Sequence, residues 1–487
     1  MPIKEKPASG PSAWTRVPVS PAPGASPLPP AGSNLMPAFG MRTVAFAAMT
    51  FLVLVVFSRV VEYPFFRSLY LAVVSFVVAM VFLPFGGALS VLVRDRLSKG
   101  LLALTFLMLV AAAFGIFRSG SLGTLQLYWS RSMMVFFAVA GCVFTLEHFR
   151  RTLLAFSVAT LALSVYSLSQ GSETQGRIGM ESGFFSNPND LAAILMMAMP
   201  LIIAAGRSLE NAPLRFLLFA STIFLWMTFL RTGSRGGFIS MVVVTVALFF
   251  QASLLRKAQM VIVGILLFGL AVLYLPSATM KRFVVFTDSV RFAEFEEGEV
   301  DAYTAASSES RLEMASQGVK FTSEHPLFGL GAGNFKVASA EYYRSRNLHA
   351  PWTEVHNTFL QVSSENGIPA LLIYVYLIVA ALRRLTMYYR LYRESSYAEN
   401  RRIAEMAWYL RLALVSYTVS AIFGNYAYQY HLPWLIGLTV ALTSAEANRP
   451  LSVRAPIFGG TLAPPTVAQR EAVPVPRMPA VADFPPR

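Results

Sequence analysis

The chain has 487 residues, 55% of them hydrophobic and 14% charged, with a mean hydropathy of +0.54 and a formal net charge of +14. Soluble domains carry about a quarter charged residues, so this composition excludes an ordinary soluble enzyme and indicates an integral membrane protein. The single cysteine, Cys142, leaves no intrachain disulfide or cysteine-based metal cluster, and the basic residues lie between apolar runs, which argues for membrane topology and against nucleic-acid binding.

From the N-terminus, residues 1–40 are Pro-rich and otherwise mainly Ala, Gly, Ser, Val and a few charges, as are residues 447–487; 19 of the 29 prolines fall in 1–40 and 449–487. Such segments cannot bury a core, and both are expected to be disordered cytoplasmic tails. The first apolar run starts only near Met41, after a long polar leader, which predicts a retained span and no cleaved signal peptide. A membrane crossing needs about 20 apolar residues. Runs of nearly that length lie near 41–58, 68–83, 101–117, 132–146, 152–168, 190–205, 213–230, 236–251 and 259–275, then 366–382, 408–423 and 427–444. The expected fold is therefore an all-α polytopic membrane protein with about 12 transmembrane helices. One bundle of about nine spans covers 41–275 and another of about three spans covers 356–446.

The segment 276–355 between the bundles is the one long hydrophilic insertion, and it is expected to carry short helices. Within it, Leu312, Ala315, Val319 and Phe321 recur at helical spacing after Ser308 and Glu309, and His325-Pro326 ends the pattern. That predicts a surface helix with Arg311 at its start and Lys320 on a later turn, followed by a turn at "LFGLGAGNF". With both termini inside, the short inner loops hold 14 positive residues and the short outer loops 7, which places the large loop on the outer side by the positive-inside bias.

Four outer-side features converge in this topology. In "GFFSNPNDLAAIL", Ser186 or Asn187 suits a helix cap, Pro188 the first helical position and Asp190 the first turn, so a helix start with its positive dipole end faces outward as an anion site. "FLRTGSRGGFIS" sets Arg231 and Arg235 at a glycine-containing turn, on the side where arginine is disfavoured, and the guanidinium fork matches phosphate oxygens. Arg311 is the third. The fourth is "WTEVHNTF", where His356 and Asn357 lie at the re-entry into the membrane, with Glu354 and Glu365 as the nearest carboxylates. Other motifs fail: "GLGAGNF" lacks a preceding strand and a Gly-Lys-Ser/Thr, the five histidines lack zinc spacing, and the acids from Asp288 to Asp301 lack calcium-loop spacing.

The order "GFFSNPNDLA", "TGSRGG", a long outer loop with "ESRLEM" and "HPLFGLGAGNF", then "HNTFLQVSSENGIPALL", resembles the O-antigen ligase and polymerase superfamily of bacterial envelopes, over roughly residues 180–380. The resemblance implies a GT-C-like membrane glycosyltransferase of the bacterial inner membrane, its active site facing the periplasm. It implies an undecaprenyl-diphosphate-linked glycan donor, an acceptor on lipid A core or on a growing polysaccharide, and no metal or other cofactor. By the matching motifs, His356, Arg235 and Arg311 take the catalytic roles, and Arg177, Asn187, Asn189, Arg231 and Asn357 are expected to bind substrate. Direct displacement by the acceptor would invert the anomeric centre; Glu354 stays open as a nucleophile for a two-step route. Ligase and repeat-unit polymerase share these motifs. A transporter or flippase of lipid-linked sugar is the reading of another class, and the absence of an internal repeat in the sequence speaks against it.

Overall fold

A computed structural model describes residues 35–60, 69–86, 92–174, 176–181, 183–274, 299–347 and 353–450. The predicted tails lie almost entirely outside the described residues, as do the acidic stretch 288–298 and His349.

The described chain is helical apart from one small hairpin. In the order of the sequence, α1 is Leu35–Ser58, α2 Leu71–Phe82, α3 Arg96–Phe114, α4 Arg118–Thr124, α5 Ser130–Cys142 and α6 Leu146–Gln170. The hairpin pairs β1 (Ser172–Thr174) antiparallel with β2 (Arg177–Gly179). Then come α7 (Pro188–Ser208), α8 (Ala212–Thr232), α9 (Arg235–Gln251) and α10 (Leu254–Tyr274). The loop helices α11 (Glu299–Glu324) and α12 (Phe335–Arg344) precede α13 (Thr358–Tyr392), α14 (Ala398–Ala421) and α15 (His431–Ala447).

Each apolar run of the sequence coincides with one of these helices, but fewer than twelve meet the requirement for a crossing. Among the described residues six are long and apolar enough: α1 from Gly40, α3, α6, α7, α8 and α13. The expectation of about 12 spans is therefore only partly met. Two apolar helices, α2 and α9, are short, and α14 carries Glu399, Arg401, Arg402, Glu405 and Arg411 along its length. Loop helix α11 begins earlier than its apolar periodicity indicated, so Arg311 lies in the middle of a long helix instead of at its start.

Buried polar backbone has no water to bond to in a bilayer, which is why helices dominate. Their packing depends on small side chains. Helix α7, whose span is 78% buried against 22% for α8, meets its neighbours through Ala192, Ala193, Ala198, Ala204, Ala205 and Gly206. Elsewhere in the core, Trp434 of α15 packs between Phe57 of α1 and Phe156 of α6, with ring centroids at 4.8 Å from each.

Helix α13 is broken at Gly367, whose φ is +84°, and a Cβ there would lie 2.2 Å from the Leu327 carbonyl oxygen. The break leaves carbonyls without helical partners. The turn 326–335 satisfies them: Leu330 N–H donates to Ser364 O and Gly331 N–H to Glu365 O, both at 2.8 Å. In return Ile368 N–H donates to Pro326 O at 2.7 Å, and Phe335 N–H donates to the Glu365 carboxylate at 3.1 Å. Tyr428 O–H holds the other carboxylate oxygen at 2.7 Å. These bonds lock the loop helices onto the membrane helices and fix where Arg311 stands.

Candidate active site

A small pocket opens where α7 and α9 begin and α14 ends. It is lined by Asn189, Ala193, Ser234, Gly236, Gly237, Arg311, Ser420, Phe423 and Tyr426. Two glycines make it possible. A Cβ on Gly236 would meet the Cβ of Phe423 at 2.7 Å, and one on Gly237 would lie 3.0 Å from that of Ala192. The start of α9 can thus lie hard against α14 and α7, with Arg235 as its first residue between pocket-lining Ser234 and Gly236. Ser234 caps α9, its hydroxyl accepting from Gly237 N–H at 3.3 Å and donating to Asn189 Oδ1 at 3.0 Å.

Arg311 reaches this pocket from α11, and its charge acts on both Tyr426 and His356. His356 immediately precedes α13 and has a left-handed backbone, φ +49°, a conformation that costs a non-glycine residue about 1–3 kcal/mol and tends to persist at functional sites. Burial, and then the Arg311 guanidinium, push its imidazole down from the usual 6.5 to about 4, so the ring is neutral near pH 7. Beside it, Glu354 accepts a hydrogen bond from Asn425 Nδ2. The carboxylate of Asp190 is buried and accepts from Gln429 Nε2 at 3.4 Å.

Several residues expected to bind substrate have other tasks. Asn187 Oδ1 caps α7 by accepting from Asn189 N–H at 2.9 Å. Asp190 N–H and Leu191 N–H both donate to Asn187 O, and Pro188 has no N–H, so the first-turn amides of α7 are spent internally. The expectation of an anion site on these donors is corrected accordingly; what occupies the dipole end is Asp190 itself. Asn357 Oδ1 likewise caps α13, accepting from Phe359 N–H at 3.0 Å and Leu360 N–H at 3.1 Å. Arg177 ties the hairpin to two helix ends, its Nε donating to Thr232 O and its Nη2 to Asn189 Oδ1, both at 2.7 Å. Arg231 is paired with Glu173 of the hairpin. Neither hairpin contact was legible, because three-residue strands leave no periodicity to read.

Thus the structure groups Arg311, His356, Asn189 and the Arg235 turn, and it draws Asn187, Asn357 and Arg231 into capping and pairing. The residues missed by sequence reasoning lie between α14 and α15, in "FGNYAYQYH". Tyr426 lines the pocket, donates to Asn189 O at 3.3 Å and is fixed through its N–H on Thr358 Oγ1 at 2.9 Å. The run of tyrosines was its only signal.

No curated protein matches the chain. Residues 220–375 match the family model described as O-antigen ligase, a range that includes the α9 turn with Arg235, the loop helix with Arg311 and the α13 entry with His356. With the family match and the helical membrane-type fold in agreement, the segment 220–375 of this chain is similar to the O-antigen ligase family.

Proposed function

We propose that the protein is an inverting, metal-independent glycosyltransferase of the bacterial inner membrane, acting on its periplasmic face. It moves a glycan from an undecaprenyl-diphosphate-linked donor to an acceptor hydroxyl, and lipid A core is the acceptor in the ligase form of the reaction. The observation that carries this reading is the meeting of Arg311 with the start of α9 in one pocket beside His356.

In the step, the acceptor oxygen attacks the anomeric carbon, the bond from that carbon to the diphosphate oxygen breaks, and the electron pair leaves with the diphosphate. Negative charge grows on that leaving oxygen. Arg311 and Arg235 are assigned to it, since fixed donors in a site shielded from water stabilise developing charge most effectively. The acceptor hydroxyl gives its proton to His356. A neutral imidazole can accept a hydrogen bond from the hydroxyl at once, although a ring held near 4 is a weak base. Donor binding changes that. Burial is the larger cause of the depression and remains, but a diphosphate on Arg311 offsets the smaller one, the arginine charge, so the imidazole gains some basicity when the substrate is in place. Asn189 and Tyr426 line the same pocket and position the donor.

Purified protein with lipid-linked donor and lipid A core tests the reading. Polymer should appear on the core with release of the lipid diphosphate, and His356→Ala should stop transfer while donor binding is kept. Extension of the lipid-linked polymer with no transfer to core would make the protein a polymerase; no glycan transfer to any acceptor would overturn the proposal.

A further inference from the structure

A much larger cavity lies elsewhere. A groove of about 1190 Å³ runs between α7, α8, α9, α10 and α14. Its near end, at Leu230 and Phe238, sits below the Arg231–Arg235 turn. Its far end is at the opposite ends of the same helices, where α7 closes with Arg207, α10 begins with Arg256 and α14 begins with Arg401 and Arg402. Between the two ends the wall is formed by side chains such as Trp226, Met241, Leu248 and Leu267. Helix α10 forms the outer side, and its Leu254, Ile265 and Leu273 are exposed. A groove of this kind in a bilayer fills with hydrocarbon.

The far end is chemically distinct. Arg207, Arg256, Arg393, Arg401 and Arg402 line it against a single carboxylate, Glu405. Arg207 pairs with Glu405, Arg402 with Glu210 at 3.0 Å and Arg393 with Glu394 at 2.8 Å. Counting all three acids, positive charge still exceeds negative by two. The Arg207 and Arg402 side chains keep 37% and 47% of their surface exposed, and an arginine bound to one carboxylate retains donors for a second anion. An apolar groove ending in a ring of arginines has the complement of one kind of molecule: acyl chains attached to a phosphate.

We propose that this groove is a binding site for an anionic phospholipid of the surrounding membrane, its chains lying between α8, α9 and α10 and its phosphate held by Arg256, Arg401 and Arg402. The site is separate from the Arg311 pocket, and its occupancy is independent of the glycosyltransfer reading.

Trp226 and Trp408 lie in the groove wall and report on it. Protein in phosphatidylcholine nanodiscs should lose tryptophan fluorescence when brominated phosphatidylglycerol is added, at a much lower mole fraction than with brominated phosphatidylcholine. Arg256→Ala and Arg402→Ala should each weaken that preference about fivefold, from about 1 kcal/mol per basic residue. Lys99→Ala, which removes an exposed charge outside the groove, should leave it unchanged. Gly264 faces the groove with no atom within 4 Å of a Cβ, so Gly264→Phe should fill the space without strain and reduce quenching by either lipid. Equal quenching by the two lipids, a loss as large in Lys99→Ala as in the arginine variants, or unaltered quenching in Gly264→Phe would each overturn the proposal. So would displacement of the brominated lipid by uncharged polyprenol, which would assign the groove to an isoprenoid chain, or by inorganic phosphate alone, which would make it a simple anion site.

Discussion

Two glycine-rich segments, "TGSRGG" and "LFGLGAGNF", look alike in the sequence and do opposite things in the fold. The second has three glycines of positive φ, Gly329, Gly331 and Gly333, and its amides are consumed by the broken end of α13. It is a clasp, with little left to offer a ligand. In the first, Gly233 also has a positive φ, +55°, where it ends α8, and the other two glycines serve close approach. Gly236 and Gly237 let α9 start against Phe423 and Ala192, which leaves Arg235 and the helix entrance beside the Arg311 pocket. Glycine content marks places where backbone comes near something; what it comes near decides whether the place is a joint or a site.

The contrast fails first if the arginines beside the α9 turn are dispensable. Arg311→Ala and Arg235→Ala should each lower transfer by about 10²–10³-fold, the usual effect of removing one donor to developing charge, with membrane insertion unchanged. Lysine at either position should restore only part of the rate, since a point charge does not reproduce the fork. Near-normal transfer by either alanine variant, measured with lipid-linked donor, would remove that residue from the site.

The clasp is tested through stability. Gly367→Ala forces a side chain into a left-handed conformation against the Leu327 carbonyl, and should cost at least about 1–3 kcal/mol. Thermal unfolding in detergent should show a clear drop, with activity falling only as far as the folded fraction does. A variant as stable as the parent would mean that the break in α13 carries no strain requirement.

A subtler check concerns pH. Because His356 is held near 4 in the fold and near 6.5 when unfolded, the unfolded chain binds the extra proton between those values, so this residue's contribution to stability is present above 6.5 and is lost as pH falls towards 4. Free-enzyme transfer, followed as kcat/KM, should show an acid limb near pH 4, well below the range of an ordinary histidine. His356→Gln should lack that limb. An acid limb at 6.5 in the parent would show that Arg311 and burial do not act on the ring.

Arg231→Ala gives the smallest effect. Its partner Glu173 is about half exposed, and exposed pairs contribute about 0–1 kcal/mol, so transfer should stay within about twofold of the parent. A loss as large as that of Arg235→Ala would move Arg231 from the hairpin into the site.

Composition, hydropathy and local capping signals were enough to read a helical membrane chain, each of its apolar helices and the Asn187-Pro188 helix start. Those features follow from local rules, since a bilayer demands apolar runs of a set length and a helix start demands a cap. Tertiary structure decided the rest. Which asparagine oxygens are spent on caps, which arginine is taken by a carboxylate and which glycine turn is a clasp all depend on partners far away in sequence. Arg231 meets Glu173, Gly331 meets Glu365 and Tyr426 meets Asn189. A side chain's chemistry is written in its type, but whether that chemistry is still available is set by what else reaches it once the chain has packed.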